Sequence, residues 1–229
     1  MLIPVPRISP GGTVQVLVTF EVRKCSIIGP EKTAQLHKPA RPDRELYRYL
    51  GTSPQIESTD RDIKQLAERV VQGHDCDWDR VEAIYDWVRE NIEYRFDVNL
   101  KGARAALKDG FGDCEELTSL FIALCRANRI PARSVWVPGH CYPEFYLGDA
   151  DGQGHWFPCQ AAGSHAFGSM RETRPVLQKG DDFKIPGERT AKRYVAETFR
   201  ARNATAAPRV QFIRRQLDAE SADEPRQPF

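Results

Sequence analysis

Two hydrophobic periods divide the chain. Residues 13–28, TVQVLVTFEVRKCSII, alternate around Val14, Val16 and Val18 and are rich in β-branched side chains, which predicts one or two strands. Residues 30–42 hold three prolines and read as a connector. From Asp60 the period lengthens. Ile63, Leu66, Ala67 and Val70 recur at helical spacing, as do Trp78, Val81, Ile84, Tyr85, Val88 and Ile92. These predict two amphipathic helices separated by QGHDCD, with Gly73 as a C-cap. A short helix is expected near 101–108. Leu117, Leu120, Phe121 and Leu124 then form a third stripe, which Pro131 ends. ARSVWV, CYPEFYL and HWFPCQ read as strands, the last two joined through GDADGQG as a hairpin. RPVLQ reads as a further strand, 188–201 and 208–218 as polar helices, and SADEPRQPF as a loose tail.

This order, strands, then helices, then an antiparallel sheet, predicts an α+β fold. We divide the chain into an N-terminal strand segment and connector (1–45), a central domain (46–187) and a C-terminal helical extension with a tail (188–229). The 229 residues are 41% hydrophobic and 28% charged, with a formal net charge of +1, so charge gives no reason to expect nucleic acid or an anionic membrane as partner. No apolar run approaches the roughly 20 residues that a membrane helix needs. The first residues lack a charged region followed by an apolar one, so no leader is read, although the chain could be cut from a longer protein. Six cysteines without a CxxC pair are expected to be free thiols in a reducing, cytoplasmic setting. Nothing in the residues sets an oligomeric state.

The chemistry starts at Cys114, which directly follows Gly112-Asp113 and opens a helix. Asp113 and Glu116 make an Asp-x-x-Glu capping box, so Cys114 is the first helical residue. There its sulfur meets free backbone N–H groups and the positive end of the helix dipole, which favour thiolate. Gly110 and Gly112 leave room for a substrate to approach. Asp113, Glu115 and Glu116 oppose the thiolate, so a cation is wanted nearby. Position alone fits a nucleophile and a packed thiol equally well.

A nucleophilic thiol needs an imidazole, and the imidazole needs an orienting group. His37 and His74 lie in polar connectors, and His165 has no clear context. His140 shares a strand face with Tyr142, Glu144 and Tyr146. If Leu147 pairs with His155, Tyr142 falls opposite Gln160. His140 and Gln160 then become diagonal neighbours on one face, about 5.5 to 8 Å apart at Cβ. The Gln160 amide oxygen can accept from the imidazole in that register. A slip of one residue would turn Gln160 away. His155 belongs to the other face and reads as an edge residue.

The runs AIYDWVRENIEYRFD, GFGDCEELTSLFIALCRANRIPARSVWVPGH, HCYPEF and HWFPCQ resemble the transglutaminase-like superfamily of papain-type cysteine enzymes, over roughly residues 60–162. The likeness implies a papain-like core in which a nucleophile helix packs against an antiparallel sheet. It implies Cys114 as nucleophile and His140 as base. Where the family usually has aspartate, this chain has Gln160, and Pro143 is a second departure, removing a strand donor beside His140. The expected chemistry is acyl transfer through a thioester on a peptide or protein substrate. Water as acceptor gives a protease or amidase; an amine gives a crosslinking transglutaminase.

A zinc site from His140, Cys141, His155 and Cys159 is disfavoured because alternation sends His140 and Cys141 to opposite faces. GDADGQG lacks the ligand spacing of a calcium loop. No cofactor or metal is expected. The rival to an enzyme is a module that keeps the fold without turnover, and Gln160 motivates it. Trp136 and Trp156 read as packing or as cleft walls, and Arg200, Arg202, Arg209, Arg214 and Arg215 as a solvated face.

Overall fold

The computed structural model describes residues 3–215 and 217, except Val98 and Ala150. The chain divides into two compact units, Glu21–Val195 and the terminal segments Met1–Phe20 with Ala196–Phe229. In the terminal unit no described residue lies in a helix or strand, and Arg214 pairs with Glu197.

The larger unit has a helical half and a sheet half. Its helices are α1 (Arg44–Tyr47), α2 (Arg61–Val70), α3 (Asp77–Asn91), α4 (Ala103–Asp109) and α5 (Cys114–Ala127). Short β1 (Glu93–Tyr94) and β2 (Phe111–Gly112) pair in parallel immediately before α5. The main sheet has β3 (Ala132–Val137), β4 (His140–Gly148), β5 (Gly154–Pro158) and β6 (Gln178–Lys179), in the order β5-β4-β3-β6 and antiparallel throughout. The fold is the expected α+β arrangement. Among the described residues no helix is long and apolar enough to cross a membrane.

Helix α5 is the hub. Leu117, Leu120, Phe121 and Leu124 are buried as their spacing requires, and Ser119, Ile122, Ala123 and Cys125 are buried as well. A helix apolar on nearly every side must be packed on nearly every side. α2 and α3 cover it from one direction with Ile63, Leu66, Ile84, Tyr85 and Val88; Phe145, Leu147 and Phe157 of the sheet join the same core. Val135, Val137 and Tyr142 form a second cluster with Met170 on the other sheet face.

Two buried ion networks pin the sheet. Arg126, fully buried, donates to Ala132 O, Gly51 O, Ser53 Oγ and both Asp181 oxygens at 2.7 to 3.0 Å. Glu144 accepts from Arg133 at 3.0 and 3.1 Å and from Lys179 at 2.8 Å, which joins β3, β4 and β6. Buried charges persist only when paired and hydrogen-bonded in this way.

Three expectations fail. Residues 13–28 form no regular strand. Phe20 is 72% exposed, Ile28 is 87% exposed, and only Ile27 makes a β-bridge, to Met170. Alternation records fitness for a pleated, half-buried surface, and a strand forms only where a partner completes the ladder. Residues 188–201 are not helical, and neither are the described residues of 208–218. Val195 and Phe199 are too few to make a buried stripe, and part of this backbone pairs elsewhere. Lys192 bridges Phe183, and the Gln178 amide brackets Val195 at 2.7 and 3.0 Å. The RPVLQ strand shrinks to Gln178–Lys179. The expected tail, 221–229, lies outside the described residues.

Candidate active site

The turn into α5 is built by its cap. The Asp113 carboxylate accepts from Glu115 N at 2.7 Å, while Glu116 accepts from Asp113 N at 3.1 Å and from Lys101 N at 2.9 Å. A Cβ on Gly112 would come within 2.4 Å of the Glu116 Cβ, so the glycine makes room for the cap itself. Gly110, at φ 74°, closes α4 in the left-handed region. The pairing of Tyr94 with Gly112 then fixes where α5 begins, with Cys114 partly buried in its first turn.

His140 is the first residue of β4, just past the turn that leaves β3. Leu147 pairs with His155 and Glu144 with Pro158, the expected register. In consequence His140 Nε2 lies 2.9 Å from Gln160 Oε1; with the proton assigned to Nε2, the imidazole donates to the amide oxygen and turns Nδ1 toward Cys114. Gln160 is itself held on three sides. Its N–H donates to Ala166 O at 2.8 Å, and its carbonyl accepts from Arg89 at 2.7 Å. Arg89 also reaches Gly163 O at 2.9 Å, and Tyr85 Oη accepts from Ala166 N. The structure therefore brings Cys114, His140 and Gln160 into one cluster. His155 lies apart, 3.2 Å from Asp149 at the hairpin end, and Cys159 is in the core.

The Cys114 thiol is pulled down to about 4. Hydrogen bonding with the Cys141 thiol is the largest cause; burial opposes it; the His140 hydrogen bond, the Cys141 backbone N–H and the His140 charge add to it. Cys141 has a single S–H proton, for which the Cys114 carbonyl at 3.5 Å and Thr118 Oγ1 at 3.7 Å compete, so the imidazole supplies the lasting part. His140 is raised above its ordinary value by its hydrogen bond with Cys114, against burial and with help from Gln160. Each partner stabilises the charge of the other.

The cap residues respond to the same charges. Asp113 is pushed up to about 7 by burial and by its hydrogen bond with Glu116, so the carboxyl beside the sulfur is partly neutralised. Arg193 offsets the charge of Glu115: its guanidinium donates to Glu115 O at 2.8 Å and sits 3.7 Å from the Glu115 carboxylate, over the Trp136 ring. Trp136 also donates to Gly180 O at 3.0 Å, which makes it packing. The sequence hid Arg193 within a stretch that reads as a polar helix, and it hid Cys141 because alternation turns that residue away from His140. Arg89 alone gave a signal, a cation on the face of an amphipathic helix, and that signal is shared with any solvated arginine.

Residues 64–161 match the family model of the transglutaminase-like superfamily. The chain carries a transglutaminase-like domain. A candidate cysteine protease from Cytophaga hutchinsonii is similar in structure, with a TM-score of 0.50 and 25% identity over 59% of this chain and 48% of that one. A candidate protease from Parabacteroides distasonis aligns with a TM-score of 0.36 and 14% identity, over 49% of this chain and 25% of that one. The chain thus spans about half the length of the first. No curated protein matches it. Cys114, His140 and Gln160 all fall inside the transglutaminase-like domain; Arg174 and Arg193 fall after it.

Proposed function

We propose that the protein is a cysteine-dependent acyl-transfer enzyme that hydrolyses peptide or amide bonds, with Cys114 as nucleophile, His140 as base and Gln160 as the group that orients His140. One observation carries the reading: a thiol at the first residue of a capped helix meets an imidazole whose other nitrogen is fixed 2.9 Å from an amide oxygen. In this reading the Cys114 thiolate attacks the substrate carbonyl. The Cys114 backbone N–H, at the start of α5, stabilises the oxyanion. The C–N bond breaks as His140 gives its proton to the leaving amine, which leaves a thioester. His140 then takes a proton from water, and the hydroxide releases the acid.

Gln160 holds the tautomer but brings no charge to stabilise the imidazolium, so turnover is expected to be slower than with a carboxylate there. The same neutral residue favours a second reading, a binding module on this fold that has lost turnover. An amine in place of water would make the enzyme a transglutaminase. Incubating wild type and Cys114→Ala with a defined peptide mixture and a fluorescent primary amine separates the three. New peptide termini that Cys114→Ala does not produce support hydrolysis. Amine incorporation supports transfer, and no Cys114-dependent product supports the module.

A further inference from the structure

A cavity of about 250 Å³ opens beside the proposed base and orienter; its walls include His140, Gln160, Gly163, Ser164 and Arg174. Arg174 carries the only permanent charge among the residues that line it. Its use is not structural in the way that of Arg126 is. Arg126 is fully enclosed, its guanidinium bonded on every side. Arg174 has a side chain 37% exposed and engages Glu172 at 2.9 and 2.6 Å and Pro138 O at 3.4 Å. A guanidinium has five N–H groups, so one on each terminal nitrogen is still on offer. Glu172 grips the Nε–Nη2 edge of the fork and holds it in place.

The local charge does not cancel. Lys24 Nζ donates to Arg174 O at 2.7 Å, and the charges that act on it are those of Arg174 and Lys179 against Glu172 and Glu144, so three cations face two carboxylates. The cation has a cost to the chemistry, since Arg174 works against protonation of His140. Its charge and that of the Cys114 thiolate favour one another, so the cation supports the sulfur while it opposes the imidazolium. An anionic substrate gains a fixed, bidentate partner.

Building on the Cys114 reading, we propose that Arg174 is a specificity-determining residue that anchors a carboxylate of the substrate next to the scissile amide, so that the preferred acyl donors are acidic peptides. That carboxylate has two possible sources, an aspartate or glutamate side chain and a free C-terminus.

The test compares two alkylating probes of nearly equal size, anionic iodoacetate and neutral iodoacetamide, at Cys114. Both attack the same sulfur, so their rate ratio cancels changes in thiol reactivity and reports the field at the site. Arg174→Gln should lower the iodoacetate to iodoacetamide ratio by about three- to tenfold, the effect of one unit charge at a partly screened site. Glu172→Gln should raise it. Opposite shifts support the proposal; a ratio unmoved in Glu172→Gln overturns it, even if Arg174→Gln fails to fold. Slow iodoacetamide labelling of wild type would count against the nucleophile instead, and the ratio can still be read. Protection of Cys114 by amidated Ac-Ala-Glu-Ala or by Ac-Ala-Ala-Ala with a free C-terminus identifies the source. Equal protection by amidated Ac-Ala-Gln-Ala overturns the carboxylate preference.

Discussion

Cys114 begins α5 and Cys125 lies in the last turn of the same helix, and the two thiols have opposite chemistry. Cys125 is fully buried, so the charged form is penalised and the pKa is driven up. Cys114 is also largely enclosed, yet it is pulled down to about 4. Burial alone therefore does not decide the outcome. At the first turn the sulfur has the imidazole, the Cys141 backbone N–H and the helix dipole; at the last turn it lies in the apolar core. The beginning of the helix favours the thiolate. Its end, where Arg126 binds Asp181, is arranged to hold the sheet.

The largest test of that contrast is selective alkylation of the native protein. At about pH 6 Cys114 should be labelled orders of magnitude faster than Cys125, which should react only after denaturation; peptide mass spectrometry reads both sites. Next comes stability. Arg126→Met leaves the Asp181 carboxylate buried and unpaired and should cost about 3–5 kcal/mol, seen as a lower urea midpoint at unchanged slope. Gln160→Ala should reduce Cys114 labelling several-fold by freeing the imidazole to turn. Gln160→Asp should restore it and raise the His140 pKa further, because a carboxylate favours the imidazolium; NMR titration of the ring checks the direction. The smallest effect belongs to the cap: Asp113→Ala should cost about 1 kcal/mol of stability.

The His140–Gln160 contact was legible because two short-range rules sufficed. Alternation assigned the faces, and a hairpin loop of turn-forming residues fixed the register. Cys114 was legible from the Asp113–Glu116 box in the same way. The charged supports were not. Arg126 meets Asp181 and Arg193 meets Glu115 across long stretches of chain, and an arginine destined for burial looks like a solvated one in sequence. Gly112 was read as space for substrate, whereas it holds space for Glu116. The misread segments, 13–28 and 188–201, carry plausible local patterns without the partner or the stripe that would make them pay. Local pattern picked out the capped end of α5 that carries the depressed thiol; long-range pairing, which pattern does not encode, supports it.

The pH-dependence of iodoacetamide labelling at Cys114, in wild type and in His140→Ala, tests the central claim most directly. The folded pKa is depressed, so thiolate is present above it and is lost as the pH falls through it. Wild-type labelling should rise to a plateau with a midpoint near 4, far below an ordinary thiol, and His140→Ala should move the midpoint up toward the usual value. A wild-type midpoint at the ordinary thiol value, indifferent to His140, would contradict the account.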